Sequence, residues 1–261
     1  MVTDITMTAS TTQMLHKLKD FFGKTGENSP QRSCLKTDIH SHLLPGIDDG
    51  VESFEDSLAL IRRFSALGYE RLITTPHVMH DFYRNDAETI RNLAGELQHK
   101  IRESGIPITL EAAAEYYLDE GLMEKLENNE DLLTFGKNYL LFETSFINKP
   151  IYLEEFIFKC TSQGIVPVLA HPERYAFVHQ EPGLLGELAS RGVLLQINAN
   201  SISGYYSKEV KKLTRKLIDQ GMVNFVGSDC HSEKHMKRLE QTVNDPYFGK
   251  ACELPLLNKY C

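Results

Sequence analysis

Seven short strand-like stretches, a polar one at 37–42 and largely apolar ones at 71–75, 107–115, 139–143, 166–171, 193–198 and 223–229, alternate with stretches patterned for amphipathic helices. No other feature limits the fold as strongly. The stretch 52–67 sets Phe54, Leu58, Ile61, Phe64 and Leu67 at helical spacing and stops at Gly68; 86–104 repeats the pattern with Ile90, Leu93, Leu97 and Ile101 before Gly105. Further helices are expected at 151–163, 183–190 and 207–220. Apolar strands alternating with amphipathic helices imply parallel strands joined by right-handed crossovers, and enough of them close into a barrel. The class is therefore α/β. The units share a pattern but no repeated sequence, so a solenoid is excluded. The stretch 245–261 has an Asp-Pro turn and reads as a terminal appendage.

Length and composition agree with one large domain, since 261 residues with 41% hydrophobic and 25% charged side chains can bury a sizeable core. A net charge of -8 argues against a nucleic-acid binder held by general electrostatics. The five cysteines are odd in number and lack C-x-x-C pairs, so neither a disulfide framework nor a zinc ribbon is expected, and a reducing cytoplasm fits best. No apolar run approaches the roughly 20 residues of a membrane span, and no secretory pattern opens the chain. Residues 1–33 form a polar extension ahead of a domain at 34–261. Within the extension Met14, Leu15, Leu18, Phe21 and Phe22 make an amphipathic patch beside Lys17, Lys19 and Lys24, read as a helix packed on its own domain rather than a membrane anchor.

Metal-type side chains gather where the runs end. His40 and His42 follow the first run, His77 the second, Glu115 the third, Glu143 the fourth, His171 the fifth, and Asp229 with His231 the seventh. In a parallel barrel these strand ends share one rim, where such folds assemble active sites. Alternation along an extended segment aims His40 and His42 the same way, and likewise Asp229 and His231, leaving Cys230 for packing. The loop Asp48-Asp49-Gly50 adds another carboxylate, and spacing does not choose between Asp48 and Asp49. Five imidazoles and about four carboxylates exceed what one cation needs, so two or three ions sharing carboxylates are expected. Nitrogen and oxygen donors without thiolate favour Mn, Fe or Zn over Ca or Mg. Such a centre activates water and clamps a phosphoryl group, so hydrolysis is the expected reaction.

Arg174, three residues beyond His171, supplies the forked donor that phosphate recognition uses. Arg174, Asp229 and His231 are the expected catalytic residues. No cysteine is followed by a short phosphate loop ending in Arg, and neither a G-x-x-x-x-G-K-[ST] loop nor a G-x-S-x-G elbow occurs.

The stretches Asp38-Ile39-His40-Ser41-His42, Leu44-Pro45-Gly46-Ile47-Asp48-Asp49-Gly50, Thr75-Pro76-His77, Ala114-Glu115-Tyr116-Tyr117, Leu141-Phe142-Glu143, Ala170-His171-Pro172-Glu173-Arg174-Tyr175 and Gly227-Ser228-Asp229-Cys230-His231 occur in that order. Together they closely resemble the PHP-domain (polymerase and histidinol phosphatase) metal-dependent tyrosine-protein phosphatases of bacterial capsular and exopolysaccharide regulation. The resemblance implies a distorted (β/α)7 barrel, TIM-barrel-like, with a trinuclear centre of manganese or iron, zinc or magnesium being the alternatives. It implies Asp49 as the loop ligand. It also implies that His40, His42, Glu115 and Asp229 hold one ion, Glu115, Glu143 and His171 a second, and Asp49, His77 and His231 a third. Arg174 matches the phosphate-contacting arginine. The segment 232–238 departs from the family pattern, which leaves Arg238 as the candidate for a second basic residue. The implied substrate is the tyrosine-rich tail of a partner bacterial tyrosine kinase, met by a cytoplasmic enzyme that reaches the inner membrane through that kinase. The enzymatic alternative is a small-metabolite phosphomonoesterase such as a histidinol-phosphate phosphatase.

Overall fold

The computed structural model describes residues 32–181 and 183–261. The amphipathic patch at 14–22 lies outside the described residues. The first half runs β1 (Thr37–Asp38), α1 (Phe54–Ala66), β2 (Arg71–Thr74), β3 (His77–Val78), α2 (Ala87–Glu103), β4 (Thr109–Ala112), β5 (Glu115–Tyr117), α3 (Glu120–Glu127) and β6 (Tyr139–Glu143). The second half runs α4 (Leu153–Ser162), β7 (Val166–Ala170), α5 (Ala176–Gln180), α6 (Leu184–Ser190), β8 (Leu194–Asn198), α7 (Ala199–Ser203), α8 (Lys208–Asp219), β9 (Phe225–Gly227), α9 (Glu233–Thr242) and α10 (Pro246–Cys252). The fold is mixed α/β, and every neighbouring pair of these strands is parallel.

The strands number nine among the described residues, not the seven expected, and they form two sheets, β1-β2-β4 and β3-β5-β6-β7-β8-β9. The expected second run is followed by an extra strand beyond Pro76, and the third is cut in two. Pro76 has no N–H to give a ladder, so pairing lapses at Thr75-Pro76 and resumes at His77, and the third run breaks beside it at Ala113-Ala114. The pieces pair separately, with Ile73 opposite Glu111 and His77 opposite Glu115. The first and last strands meet through a parallel bridge between Ser41 and Cys230, in which Asp229 N donates to His40 O (2.8 Å) and His42 N to Cys230 O (3.0 Å). Asp38 closes the same seam, accepting from Ser228 N and Ser228 Oγ at 2.7 Å each.

The expected helices form with ends shifted by at most two residues. Ser53, Asp86 and Ser207 cap α1, α2 and α8 by accepting from Asp56 N, Thr89 N and Val210 N, which satisfies first-turn amides that otherwise lack partners. The apolar stripe of α1 then buries Leu60, Ile61 and Phe64. A smaller cluster, including Ile73, Ala113, Leu141, Val168 and Phe225, fills the strand face that also carries Glu115 and Glu143. The charged side chains therefore stand on an apolar floor.

The C-terminal stretch is an integral part of the fold, not an appendage. Asn258 is buried; its Oδ1 accepts from Val226 N (3.0 Å) while Nδ2 donates to Thr37 O (3.1 Å) and Val226 O (2.8 Å), tying β1 to β9. Leu257 and Cys261 pack against the inner cluster. The cysteines form no framework among the described residues, but one pair is joined: Cys34 and Cys252 are bonded with Cα atoms 6.3 Å apart across 218 residues, whereas Cys160 and Cys230 are buried and free. No helix among the described residues is long and apolar enough to cross a membrane.

Candidate metal centre

His40, His42, Asp49, His77, Glu115, Glu143, His171, Asp229 and His231 converge in one place, His77 and Glu115 from the first positions of β3 and β5, Glu143 from the end of β6, and the others from the segments that follow strands. Their ligand atoms fall into four overlapping groups, each within 4.8 Å: His42, Asp49, His77 and His231; His40, His42 and Asp229; His40, Glu115 and His171; His77, Glu115 and Glu143. These groups cut across the three-ion allocation implied by resemblance, because His42 also reaches the Asp49 group and His40 the His171 group. Glu115 is the hub. Its Oε2 lies 3.1 Å from His40 Nε2 and 3.3 Å from His77 Nδ1, while Oε1 lies 3.1 Å from His171 Nε2. Glu143 Oε1 meets His77 Nδ1 at 3.1 Å. A cavity of about 410 Å³ opens over the cluster, lined in addition by Met79, Tyr83, Phe146, Arg174, Tyr206 and His235.

The two aspartates of the first loop have separate jobs. Asp49 Oδ1 lies 3.4 Å from both His77 Nε2 and His231 Nε2, inside the cluster. Asp48 stands behind it: Oδ2 accepts from His42 Nδ1 (2.8 Å) and His77 N (3.1 Å), and Oδ1 accepts from Gly50 N (2.9 Å). A Cβ on Gly50 would sit 2.4 Å from His42 O, so this tight turn needs glycine.

Asp229 and His231 do not reach the cluster by strand alternation. The strand β9 stops at Gly227, and Asp229 has φ 51°, as His171 after β7 has φ 34°. Left-handed backbone at non-glycine residues is strained and gathers at functional sites. Asp229 Oδ2 collects Arg174 Nη1 (2.9 Å), Asn198 Nδ2 (2.6 Å) and the Tyr206 hydroxyl (3.3 Å). Oδ1 is left facing His40 Nε2 (3.4 Å), His42 Nε2 (3.6 Å) and His231 Nδ1 (3.4 Å). Arg174 is further held between aromatic faces, 4.7 Å from the Phe146 centroid and 4.3 Å from that of Tyr206. Glu173 turns away from it, accepting from Asn198 N and Ser201 Oγ.

The donor set fits cations. Gln196 Oε1 and Asp48 Oδ2 take the Nδ1 protons of His40 and His42, so the neutral rings present their Nε2 lone pairs 3.3 Å apart, toward carboxylate oxygens. Lone pairs facing lone pairs repel unless a cation lies among them. Buried Nδ1 of His171 has no hydrogen-bond partner. Without cations the carboxylates recruit protons instead: burial pulls His40 down, but the charges of Glu115 and Asp229 outweigh it and raise its pKa to about 9. Burial likewise pulls His77 down, and Glu115, Asp49 and Glu143 push it up to about 12. Burial raises Glu115 and Asp229, yet neighbouring imidazolium charges hold both below the usual carboxylate range.

Several residues around the cluster escaped the sequence reading. Gln196 and Asn198 are an alternating polar pair on the one apolar run that offered no ligand, a signal that could have been noticed. His235, whose Nδ1 accepts from His231 N at 3.2 Å, lines the cavity. Arg238 does not: its Nη2 donates to Ser203 O and its Nη1 to Gln241 Oε1, both at 3.1 Å, which removes it as the second basic contact.

Residues 36–245 match the family model described as capsular polysaccharide synthesis, CpsB/CapC. The chain is 30% identical to the tyrosine-protein phosphatase YwqE of Bacillus subtilis (strain 168) over 197 residues, covering 76% of this chain and 78% of that protein. It is 28% identical to the tyrosine-protein phosphatase CpsB of Streptococcus pneumoniae over 200 residues, covering 75% and 82%. Among solved structures it resembles one from work on YwqE and CpsB, described as unique metal-dependent tyrosine phosphatases, with a TM-score of 0.74 at 28% identity over 83% of this chain and 89% of that one. A phosphotriesterase homology protein of Escherichia coli shares the fold at a TM-score of 0.53 and 13% identity. With more than half its length matched by that model, the chain belongs to the CpsB/CapC family of capsular polysaccharide synthesis.

Proposed function

We propose that this chain is a metal-dependent protein-tyrosine phosphatase that hydrolyses phosphotyrosine on the tail of a bacterial tyrosine kinase controlling capsule or exopolysaccharide synthesis. The observation that carries the reading is Arg174, tied to Asp229 and clasped between Phe146 and Tyr206 beside the nine His, Asp and Glu side chains. Phosphate calls for forked cationic donors, and an aryl group calls for flat apolar walls. Both are present in one cavity. The similarity to YwqE and CpsB supports the same assignment.

His40, His42, Asp49, His77, Glu115, Glu143, His171, Asp229 and His231 are the metal ligands in this reading. They hold two or three divalent ions, with Mn or Fe favoured by nitrogen and oxygen donors and Zn or Mg as alternatives. Bound there, such ions lower the pKa of water and polarise a phosphoryl group. Arg174 offers its remaining N–H groups to the phosphate oxygens. Asp229 steers Arg174 through Oδ2 and presents Oδ1 to the cluster, while His231 is set by Asp49 and by the Asp229 carbonyl, 3.0 Å from its Nδ1. The leaving phenol has an ordinary pKa of about 10 and departs without a strong acid. Counting each broken run once, the strands are staves of a distorted (β/α)7 barrel of PHP type, spanning 34–261 behind the 1–33 extension. The enzyme works in the cytoplasm and meets the membrane through its kinase substrate.

Rates of manganese-loaded protein on a phosphotyrosyl peptide and on histidinol phosphate test the proposal. The peptide should be preferred, and a His40→Ala, His42→Ala double variant should be inactive. A strong preference for histidinol phosphate would replace this reading with a metabolite phosphatase, and equal turnover by the double variant would assign the activity to a contaminant.

A further inference from the structure

We propose that Gln196 and Asn198 are positioning residues that aim His40 Nε2 and Asp229 Oδ1 at the place a cation takes. The inference rests on reading His40 and Asp229 as ligands, and it follows from the directions of three consecutive hydrogen bonds and one branch to Tyr206. Ionised Asp229 can only accept, so the group facing its Oδ2 at 2.6 Å must be the amide nitrogen of Asn198. The second hydrogen on that nitrogen goes to the Tyr206 hydroxyl oxygen at 3.1 Å. Asn198 Oδ1 is thereby turned to Gln196, whose Nε2 donates to it at 2.9 Å. Gln196 Oε1 must then face His40, and it accepts from Nδ1 at 2.8 Å. One carboxylate thus sets the orientation of two amides and, through them, the role of each imidazole nitrogen: Nδ1 keeps its proton, and Nε2 is the nitrogen left to give one up to a cation.

The two ends of this chain come back together. Asp229 has Oδ2 occupied by these donors and turns Oδ1 to the cluster, His40 has Nδ1 occupied and turns Nε2 there, and these two atoms lie 3.4 Å apart, with Glu115 Oε2 3.1 Å from the same Nε2. All four residues are buried, so water does not compete for these bonds. Both amides stand on β8, whose ladder sets Gln196 opposite Phe225 and Asn198 opposite Gly227. Gly227 makes the approach possible, since a Cβ there would fall 2.6 Å from His40 Cβ and 2.9 Å from Gln196 Nε2. A second amide contact holds the pair in place: Asn198 N donates to Glu173 Oε1 at 2.9 Å. Outer partners of metal-bound imidazoles fix ring tautomer and orientation in this way and typically change affinity about 10- to 100-fold.

Manganese titration of metal-stripped full-length protein by calorimetry, with circular dichroism to verify folding, tests the assignment. Gln196→Met removes both bonds at similar size, and it should weaken manganese binding about 10- to 100-fold. Gln196→Glu keeps an acceptor for His40 and should bind more tightly than Gln196→Met. Asn198→Asp turns an acceptor against Asp229 and should weaken binding even where folding is intact. In the zinc-loaded wild type, imidazole ¹⁵N shifts should place the His40 proton on Nδ1. A proton on Nε2, or wild-type affinity in folded Gln196→Met and Asn198→Asp, would overturn the inference while leaving the metal reading standing. A wild-type protein that takes up no manganese would overturn both.

Discussion

Arg174 donates through Nη1 to Asp229 Oδ2 at 2.9 Å, so the guanidinium assigned to phosphate and a carboxylate of the metal cluster are held by one contact. Asp229 would keep two other donors on the same oxygen, Asn198 and Tyr206, if Arg174 were removed. Arg174→Ala should therefore lower kcat/KM on a phosphotyrosyl peptide by about 10²- to 10³-fold, the typical effect of losing one donor to developing charge, while metal content stays near wild type. Arg174→Lys should recover little of the loss, because an ammonium cannot fork. Metal loss in parallel with activity, measured by elemental analysis, would mean that Arg174 supports the ligands rather than the substrate.

Asp48 and Asp49 should separate in a paired experiment. Asp49 is half-exposed and touches the cluster through its side chain alone, whereas Asp48 holds His42 Nδ1, His77 N and Gly50 N. Asp49→Ala should lose metal with a small change in the melting temperature of the stripped protein. Asp48→Ala should lower both, since it leaves the loop amides without their acceptor. The opposite pattern would exchange the two roles.

The difference between what the residues announced and what they withheld is physical. Histidines and carboxylates at the ends of apolar runs were legible, because a parallel α/β fold brings such ends to one side whatever the details of each strand. Asp229 reached the same place by a left-handed turn, so the location was legible while the supposed alternation was not. Gln196 and Asn198 carry no charge and gain their meaning from bond direction, which no spacing encodes. Phe146 and Tyr206 arrive from loops after β6 and α7. Cys34 meets Cys252, and Asn258 meets Thr37, across more than two hundred residues. Such pairings follow from the completed fold, and local pattern says nothing about them.

Stability and metal affinity should respond to pH in opposite directions. In metal-free protein His40 has its pKa raised from 6.5 to about 9, first against the effect of burial and then by Glu115 and Asp229. Between those values the folded state binds more protons than the unfolded one, so the stabilisation is full below about pH 6.5 and is lost as pH rises through about 9. His77, raised to about 12, adds a loss that continues at higher pH. Cations compete for the same ring nitrogens, so their uptake at pH 7.5 should release protons and tighten as pH rises. Thermal melts of stripped protein from pH 6 to 9.5 should fall, and calorimetry in buffers of different ionisation enthalpy should detect the released protons. Uptake without proton release would show that the cluster is neutralised in some other way.

Asn258 offers the complementary test, a substitution that should harm the fold and spare the metal. It joins Thr37 and Val226, each three residues before a proposed ligand, His40 and Asp229 respectively, and so acts on the far side of the apolar floor. Asn258→Ala leaves the buried Val226 N–H without its acceptor, at a cost of about 1–3 kcal/mol, and also frees two carbonyl oxygens. For a domain of this size each kcal/mol lowers Tm by about 2–4 °C. The melting temperature should fall by that measure while the folded protein keeps wild-type manganese affinity at room temperature, because the hydrogen bonds that orient His40 and Asp229 come from β8 and not from the C-terminus. A fall in affinity with unchanged Tm would instead place the C-terminal stretch in the support of the metal cluster.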